Sequence, residues 1–341
     1  MRHPSPHPAA PTAWRGLIPL LALVLIPLVM CGQATTVVRQ AGAGGTGGGP
    51  GNGPGSVKWS TCTTGDCQVY EHFASAALDA GGSATAIASC PADQRMLSGG
   101  YVIEHASGDM RVAESYPSGA NTWTVTANNN TGTAATLDAD INCVRVDLAS
   151  AQTVVPAPTS VIVPAGAGAT TTVVVCPAGL VPTGGGFRLA PAGSASVGGA
   201  RFLAGALPGV ALSGAPSAAI LASQPEAGGW QVAAASLYTP FTASAYAVCW
   251  NAQHWSTISA DGSVPAGASA QADAGFERCP TGTTLTGGGF TIADPAAFGL
   301  LLVQRSGDNI DGTVLSDWTA AASNIDTSAA HSLSAAGICA V

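Results

Sequence analysis

Short apolar runs interleaved with small and polar residues organise this chain, and almost none of it keeps the three-to-four-residue period of an amphipathic helix. TTTVVVC (Thr170–Cys176) and WQVAAASLY (Trp230–Tyr238) have the β-branched or alternating character of half-buried strands. In the middle of the chain the pattern predicts strands near Ser160–Val163, Thr171–Cys176, Pro182–Leu189, Ala200–Ala206, Trp230–Leu237 and Ser244–Trp250. The Pro-Gly steps in VPAG and CPAG supply turns between them. Some six strands in about 90 residues suit a small β-sandwich or barrel-like unit.

The same pattern occurs three times. CPADQRMLSGGY (Cys90–Tyr101), CPAGLVPTGGGF (Cys176–Phe187) and CPTGTTLTGGGF (Cys279–Phe290) each place an aromatic residue eleven positions after a Cys-Pro step, with paired glycines before it. The pairs are Gly99 and Gly100, Gly185 and Gly186, and Gly288 and Gly289, preceding Tyr101, Phe187 and Phe290. One tryptophan follows in each copy, in WTVTA (Trp123), WQVAA (Trp230) and WTAAA (Trp318), and a second cysteine closes the copy 20, 19 and 21 residues later, at Cys143, Cys249 and Cys339. VPAGA recurs upstream at Val163 and Val264, with a degenerate LDAGG at Leu78. SYP (Ser115–Pro117) and SQP (Ser223–Pro225) precede two of the tryptophans, and RSG stands in the third copy. Only the distance from aromatic to tryptophan varies, at 22, 43 and 28 residues, so a constant frame carries a tolerant loop.

Composition agrees with this picture. The 341 residues carry a net charge of −8, only 9% are charged, and the apolar 47% is mostly Ala and Val. Basic residues are scattered singly, which excludes the clustered face of a nucleic-acid binder. Near the N-terminus, Arg2 and Arg15 precede GLIPLLALVLIPLVM (Gly16–Met30), an apolar run too short for a membrane span and built like the core of a signal peptide. Two exits fit it. LVMC (Leu28–Cys31) approximates a lipobox that would make Cys31 a lipid anchor, with Met30 departing from the small residue normal there; GQA (Gly32–Ala34) is a small-x-small cleavage site that would release a free protein. The Gly/Pro tract Ala41–Ser56 that follows has no large side chain and reads as a flexible tether. The organisation expected is a signal peptide (1–31), a tether (32–56), repeat one with an N-terminal CTTGDC segment (57–147), repeat two (148–253) and repeat three (254–341).

With Cys31 set aside, eight cysteines remain, an even number in an exported chain. One opens and one closes each copy, which predicts Cys90–Cys143, Cys176–Cys249 and Cys279–Cys339 and leaves Cys62 and Cys67 as a local bridge. Zinc would need more than that single close pair, and redox chemistry would need a C-x-x-C spacing that CTTGDC lacks. No metal or cofactor is expected.

The search for catalysis returns little. GGGF is not followed by a helix with Lys and Ser/Thr, so a phosphate loop is not built; Gly185 and Gly186 suit close backbone approach, and Phe187 a core anchor. The three tryptophans, one per copy at a near-constant distance from a cysteine, read as core packed on the disulfide. Trp250 and Trp255, flanking His254, lie outside that pattern and suit packing between copies or an exposed aromatic patch. No G-x-S-x-G elbow or HExxH pair occurs. Glu104 and His105 stand in copy one where the other copies have Ala190, Pro191 and Ala293, Asp294, and read as a solvated loop; SGDNIDG (Ser306–Gly312) reads as an Asp-Gly turn rather than a calcium loop.

The frame CP…GGG(F/Y)…S-x-P…W…(A/N)-x-C, from about Leu78 to Val341, resembles a repeat of uncharacterised exported proteins of high-GC bacteria, in which a single copy can form the terminal head of a collagen-like chain; copy one departs with SGGY and INC. The resemblance implies an exported β module and transfers no catalytic residues. A more distant architectural likeness is to vitelline-membrane outer-layer proteins, whose three β repeats form a pseudo-threefold prism. The expectation is therefore an all-β protein of three tandem, disulfide-closed antiparallel units, with pseudo-threefold packing as one arrangement. Its expected role is that of a non-catalytic cell-surface structural or adhesion protein. It would touch a surface polymer, glycan or protein through the variable loops, above all the apolar stretch Ala190–Gly229. A carbohydrate-binding module is the alternative and a secreted enzyme the third reading; membrane contact is expected only through the N-terminal lipid.

Overall fold

A computed structural model describes residues 56–58, 68–145, 152–155, 160–171, 173–191, 201–203, 218–236, 238–252, 255–275, 279–281, 283–294, 297, 300–311 and 314–340. The signal-peptide, Cys31, Cys62–Cys67 and His254 readings, and most of the long loop of copy two, fall outside the described residues. What is described is β-sheet, every pairing in it antiparallel.

Copy one runs through β1 (Ser56–Lys58), β2 (Gln68–Leu78), β3 (Ser83–Ser89), β4 (Gln94–Glu104), β5 (Met110–Gly119), β6 (Thr122–Asn129) and β7 (Ala135–Arg145). Copy two supplies β8 (Gln152–Val155), β9 (Ser160–Val163), β10 (Ala167–Thr170), β11 (Val174–Val175), β12 (Val181–Pro191), β13 (Arg201–Leu203), β14 (Ala218–Glu226), β15 (Gly229–Ser236) and β16 (Phe241–Trp250). Copy three supplies β17 (Trp255–Val264), β18 (Ser269–Gly275), β19 (Thr284–Ile292), β20 (Leu301–Asp311), β21 (Val314–Asn324) and β22 (His331–Ala340). The LDAGG turn and the two VPAGA turns place Gly81, Gly166 and Gly267 at φ of 68°, 72° and 64°, where a side chain would be strained.

The copies do not close separate sandwiches. They exchange strands in a ring. One sheet has the order β1-β2-β7-β4-β20-β21-β18, so copy three's hairpin β20–β21 completes the sheet of copy one. A second runs β3-β6-β5-β12-β16-β8, with β9 also on β16, and joins copy one's hairpin β5–β6 to copy two. The third runs β13-β10-β15-β14-β19-β22-β17 and joins copy two's hairpin β14–β15 to copy three. Each seam is short: Tyr101 and Val102 face Ser306 and Arg305, Phe187 and Arg188 face Ser115 and Glu114, and Phe290 and Thr291 face Ser223 and Ala222.

Each disulfide crosses between sheets. Cys90, after β3 of the second sheet, bonds Cys143 in β7 of the first; Cys176, after β11 of the third, bonds Cys249 in β16 of the second; Cys279, after β18 of the first, bonds Cys339 in β22 of the third. The sequence pairing within each copy thus becomes a set of three staples between adjacent faces.

Every glycine of the repeated run has a neighbour that needs its missing side chain. A Cβ on Gly99, Gly185 or Gly288 would run into the ring of Trp123, Trp230 or Trp318, which lie fully buried. A Cβ on Gly100, Gly186 or Gly289 would overlap the carbonyl of Ser306, Ser115 or Ser223 across the seam. Each indole N–H then donates to the hydroxyl of the same serine, Trp123 to Ser115 at 3.1 Å, Trp230 to Ser223 at 3.0 Å and Trp318 to Ser306 at 3.3 Å. Ser306 therefore takes the place of the S-x-P serine in copy three.

Three equivalent β-bulges, at Leu97, Thr183 and Thr286, bring β4, β12 and β19 together on the pseudo-threefold axis. Ser98 Oγ donates to the Thr286 carbonyl at 2.7 Å, Thr183 Oγ1 to the Leu97 carbonyl at 2.7 Å, and Thr286 Oγ1 to the Thr183 carbonyl at 3.5 Å. Beyond them the Phe187 ring meets Tyr101 and Phe290 edge-on, with centroids 6.3 and 6.5 Å apart.

Candidate functional site

Since the interior repeats, the positions that differ between copies stand out on the outer faces. At the seams, strand register makes Arg188, Glu114 and Ser244 equivalent to Val102, Arg305 and Asp138 in the first sheet, and to Thr291, Ala222 and Ser334 in the third. Two residues further, Tyr246 corresponds to Asp140 and Ala336. The frame is one; its decoration is three.

The second sheet carries an aromatic and ionic group. Arg188 Nε donates to Glu114 Oε1 at 2.7 Å, and the guanidinium carbon lies 5.7 Å from the centroid of the Tyr116 ring. Tyr116 and Tyr246 pack with centroids 4.9 Å apart and a 35° tilt. Thr126 Oγ1 donates to the other Glu114 oxygen at 3.3 Å. Both tyrosines are half-buried and the Arg188 side chain is 47% exposed, so this group meets solvent. Burial raises the Tyr246 phenol, and the Glu114 bond raises Arg188, so Tyr246 presents a neutral ring beside a fixed cation.

The first sheet carries acids instead. Glu71 on β2, Asp138 and Asp140 on β7 and Asp308 on β20 gather around Arg305, whose Nη2 donates to the Asp308 carbonyl. Loss of solvent raises all four carboxyls, Glu71 to about 9, Asp140 to about 7 and Asp308 to about 6; mutual repulsion adds to it for Glu71 and Asp140. Repulsion from Glu104 also raises Asp138 and Asp140. Asn142, in the INC sequence peculiar to copy one, bonds Asp308 and donates from Nδ2 to Ser98 Oγ at 3.1 Å. No set of side chains with metal-binding geometry occurs among the described residues, so the acids do not form a cation cage there.

The third sheet's equivalent seam positions are uncharged, with Asp261 one strand further out accepting from Ser334 Oγ, and Thr291 Oγ1 donates to Gln224 Oε1 across the seam. At the far end of that sheet lies buried His331, with Nδ1 3.0 Å from Asp294 and Nε2 3.3 Å from Asp326, while the Ser328 hydroxyl donates to Asp326. A carboxylate thus stands between the serine and the imidazole, and the imidazole cannot take the hydroxyl proton as a base would in a nucleophilic triad.

On the axis, Tyr101, Phe187 and Phe290 line a cavity of about 30 Å³, which admits a water or two and no organic ligand.

Several sequence expectations land differently. SGDNIDG is not a turn throughout: Ser306 to Asp311 belong to β20, and Asp308 is only 5% exposed. Ala190–Gly229 is not all loop, because β13 and β14 occupy Arg201–Leu203 and Ala218–Glu226 and β14 forms a seam; 192–200 and 204–217 lie outside the described residues. Glu104 and His105 are exposed, with His105 at φ 59° in the turn after β4. Trp250 is buried and donates from Nε1 to the Met96 carbonyl at 3.0 Å, packing copy two on copy one; Trp255, at the start of β17, is half-buried. The acid group and the tyrosine pair were missed, being scattered over residues 71 to 308 and 116 to 246; the only sequence signal was copy one's departure at INC and copy three's Asp308 in place of the S-x-P proline.

No known protein-family model matches this sequence, and comparison with curated proteins finds no matching relative.

Proposed function

We propose that this chain is a non-catalytic, exported binding protein of the cell surface, a rigid three-sided scaffold whose outer faces and loops make contacts. The observation that carries the reading is the contrast between a threefold-repeated interior and outer positions that hold Arg188, Glu114, Tyr116 and Tyr246 on one face, acids on the next, and Thr, Gln and Ala on the third. Where every copy keeps the same glycine, tryptophan and serine for packing, divergence at solvent is where specificity can be written. The three disulfides are compatible with an extracellular location. The N-terminal apolar run supplies export, with either lipid attachment at Cys31 or free release after it.

A carbohydrate-binding reading is favoured by the Tyr116–Tyr246 pair, because half-buried rings flanked by a guanidinium and a carboxylate match the C–H faces and hydroxyls of a sugar. Both readings are tested by measuring binding of the purified head to whole cells, to extracted envelope polymers and to a glycan array. Parallel samples carry Tyr116→Ala with Tyr246→Ala, or lack residues 204–217. Loss of cell binding in either variant supports a surface-contact role, and loss on the glycan array in the tyrosine variant selects carbohydrate. Unchanged binding by both variants, or no binding by the parent, overturns the proposal.

A further inference from the structure

The three seams are closed by three different clasps. Across the second, Arg188 on β12 pairs with Glu114 on β5; across the third, Thr291 on β19 donates to Gln224 on β14; the first has Val102 opposite Arg305, and no ion pair bridges that register position. What lies there is the acid group. We propose that the seam between copy one and the hairpin β20–β21 is a proton-operated latch, closed while Glu71, Asp140 and Asp308 hold protons and loosened when they give them up.

The geometry favours protons in this place. Asp308 is 5% exposed and Asn142 2% exposed, they bond each other, and yet Asp308 Oδ2 and Asn142 Oδ1 have no donor among the described residues, while the buried Arg305 Nε has no acceptor. A protonated Asp308 donates where an ionised one only accepts, which supplies the kind of group that an orphan acceptor such as Asn142 Oδ1 lacks. Asp138 Oδ1 is likewise without a donor. Asp140 Oδ2 lies over Gly307, 3.3 Å from where a side chain on that residue would begin, which presses it onto the incoming strand β20.

The charges facing this group come from four strands: Glu71 from β2, Asp138 and Asp140 from β7, Glu104 from β4, and Asp308 with Arg305 from β20. Strand β21 adds Trp318 and Thr319, which do not titrate near neutrality, and the acid Asp317 opposite Asn309; Thr319 Oγ1 in turn donates to Asp273 on β18 at 2.7 Å. The five acids Glu71, Glu104, Asp138, Asp140 and Asp308 thus share one guanidinium. Fully ionised, the group would leave uncompensated buried charge at a joint held by two facing residue pairs. The direction of the carboxyl shifts fits: groups raised in the folded state stabilise it below their ordinary range near 4, and that contribution is lost as pH climbs through about 6 to 9. The other two clasps, Arg188 with Glu114 and Thr291 with Gln224, hold no cluster of buried carboxyls, so loosening is confined to one of three seams.

Hydrogen exchange of the full mature chain between pH 5 and pH 9, corrected for the intrinsic effect of pH, reads each seam separately. The expected result is that β20 and β21 amides lose protection on the order of tenfold per pH unit for each proton released, while β5–β6 and β14–β15 amides do not follow. Asp308→Asn and Asp140→Asn, which mimic the protonated carboxyl, should retain protection at pH 9, and Glu71→Gln should move the midpoint of the loss downward in pH. Equal behaviour of all three hairpins in the parent chain overturns the latch, a measurement that depends on no variant folding. Retention of the full pH dependence by both Asp308→Asn and Asp140→Asn also overturns it.

Discussion

The backbone at Tyr116 lies so close to Gly186 that a methyl group on the glycine would stand 2.8 Å from the Tyr116 Cα and overlap the Ser115 carbonyl. This contact joins copy one's hairpin to copy two's sheet, and its equivalents at Gly100 and Gly289 meet Gly307 and Gln224 at 2.8 and 3.0 Å. The obstacle is backbone on both sides, so it cannot swing away as a side chain would. Gly186→Ala should therefore destabilise by about 3 kcal/mol, the upper end for overpacking. Gly132→Ala, where the new methyl meets nothing within 4 Å, should stay within about 0.5 kcal/mol of the parent. Urea unfolding of the two variants checks this.

The indole–serine bond is repeated in all three copies with both partners buried, so it offers a clean test of what a satisfied donor contributes. Ser223→Ala strands the Trp230 N–H in the core and should cost about 1–3 kcal/mol. Trp230→Phe removes the donor but also ring volume. The double variant should be less destabilised than the sum of the singles, because no donor is left stranded. An additive cycle in chemical denaturation would show that the hydrogen bond contributes nothing at this site.

Each disulfide spans a similar length of chain, with sequence separations of 53, 73 and 60, so loop-closure entropy predicts nearly equal contributions of about 4 kcal/mol. Because each bridge also ties two sheets, breaking one should expose a different edge each time. Replacing Cys90 with Cys143, Cys176 with Cys249, or Cys279 with Cys339 by serine pairs should lower the thermal midpoint by similar amounts. Peptide mapping without reduction should recover only bridges internal to one copy. A bridge between copies in the native protein contradicts the fold.

The sequence displayed the frame far better than its assembly. Cysteine spacing, the glycine pairs and the tryptophans each recur, and a recurring residue type at a fixed distance reports a shared local environment. Strand exchange leaves no such mark, because Ser115 opposite Phe187 and Ser306 opposite Tyr101 are the same contact by residue type, whichever copy supplies the hairpin. The strand β14 was hidden for a different reason: AAILASQPE has the Ala-rich composition of the loop before it, and only its seam with Phe290 makes it framework. Asp308 looked like a turn residue because acids beside glycine usually are. Its burial comes from β7 and β2, more than 160 residues away in the chain, which no local pattern reports.

On the axis only one of three equivalent positions has a side chain, and the crowding there explains why. Ser98 in copy one corresponds to Gly184 and Gly287; a Cβ on either glycine would fall 2.7 Å from the Ser98 Cβ. The two glycines are not alike, however. At Gly184 the nearest obstacles are atoms of Ser98 itself, with the Leu97 carbonyl at 3.5 Å, whereas a Cβ on Gly287 would also overlap the Thr183 carbonyl. Removing the serine side chain should therefore make room at one position and not at the other. Gly184→Ala in a Ser98→Gly background should be less destabilising than in the parent, with a coupling energy on the order of 1 kcal/mol, limited by the Ser98 Cα that remains 2.9 Å away. Gly287→Ala should remain destabilising in both backgrounds, because its main obstacle is backbone of copy two. Equal coupling at the two glycines, measured by denaturant unfolding of the two double-variant cycles, would contradict the packing of the three strands on a common axis.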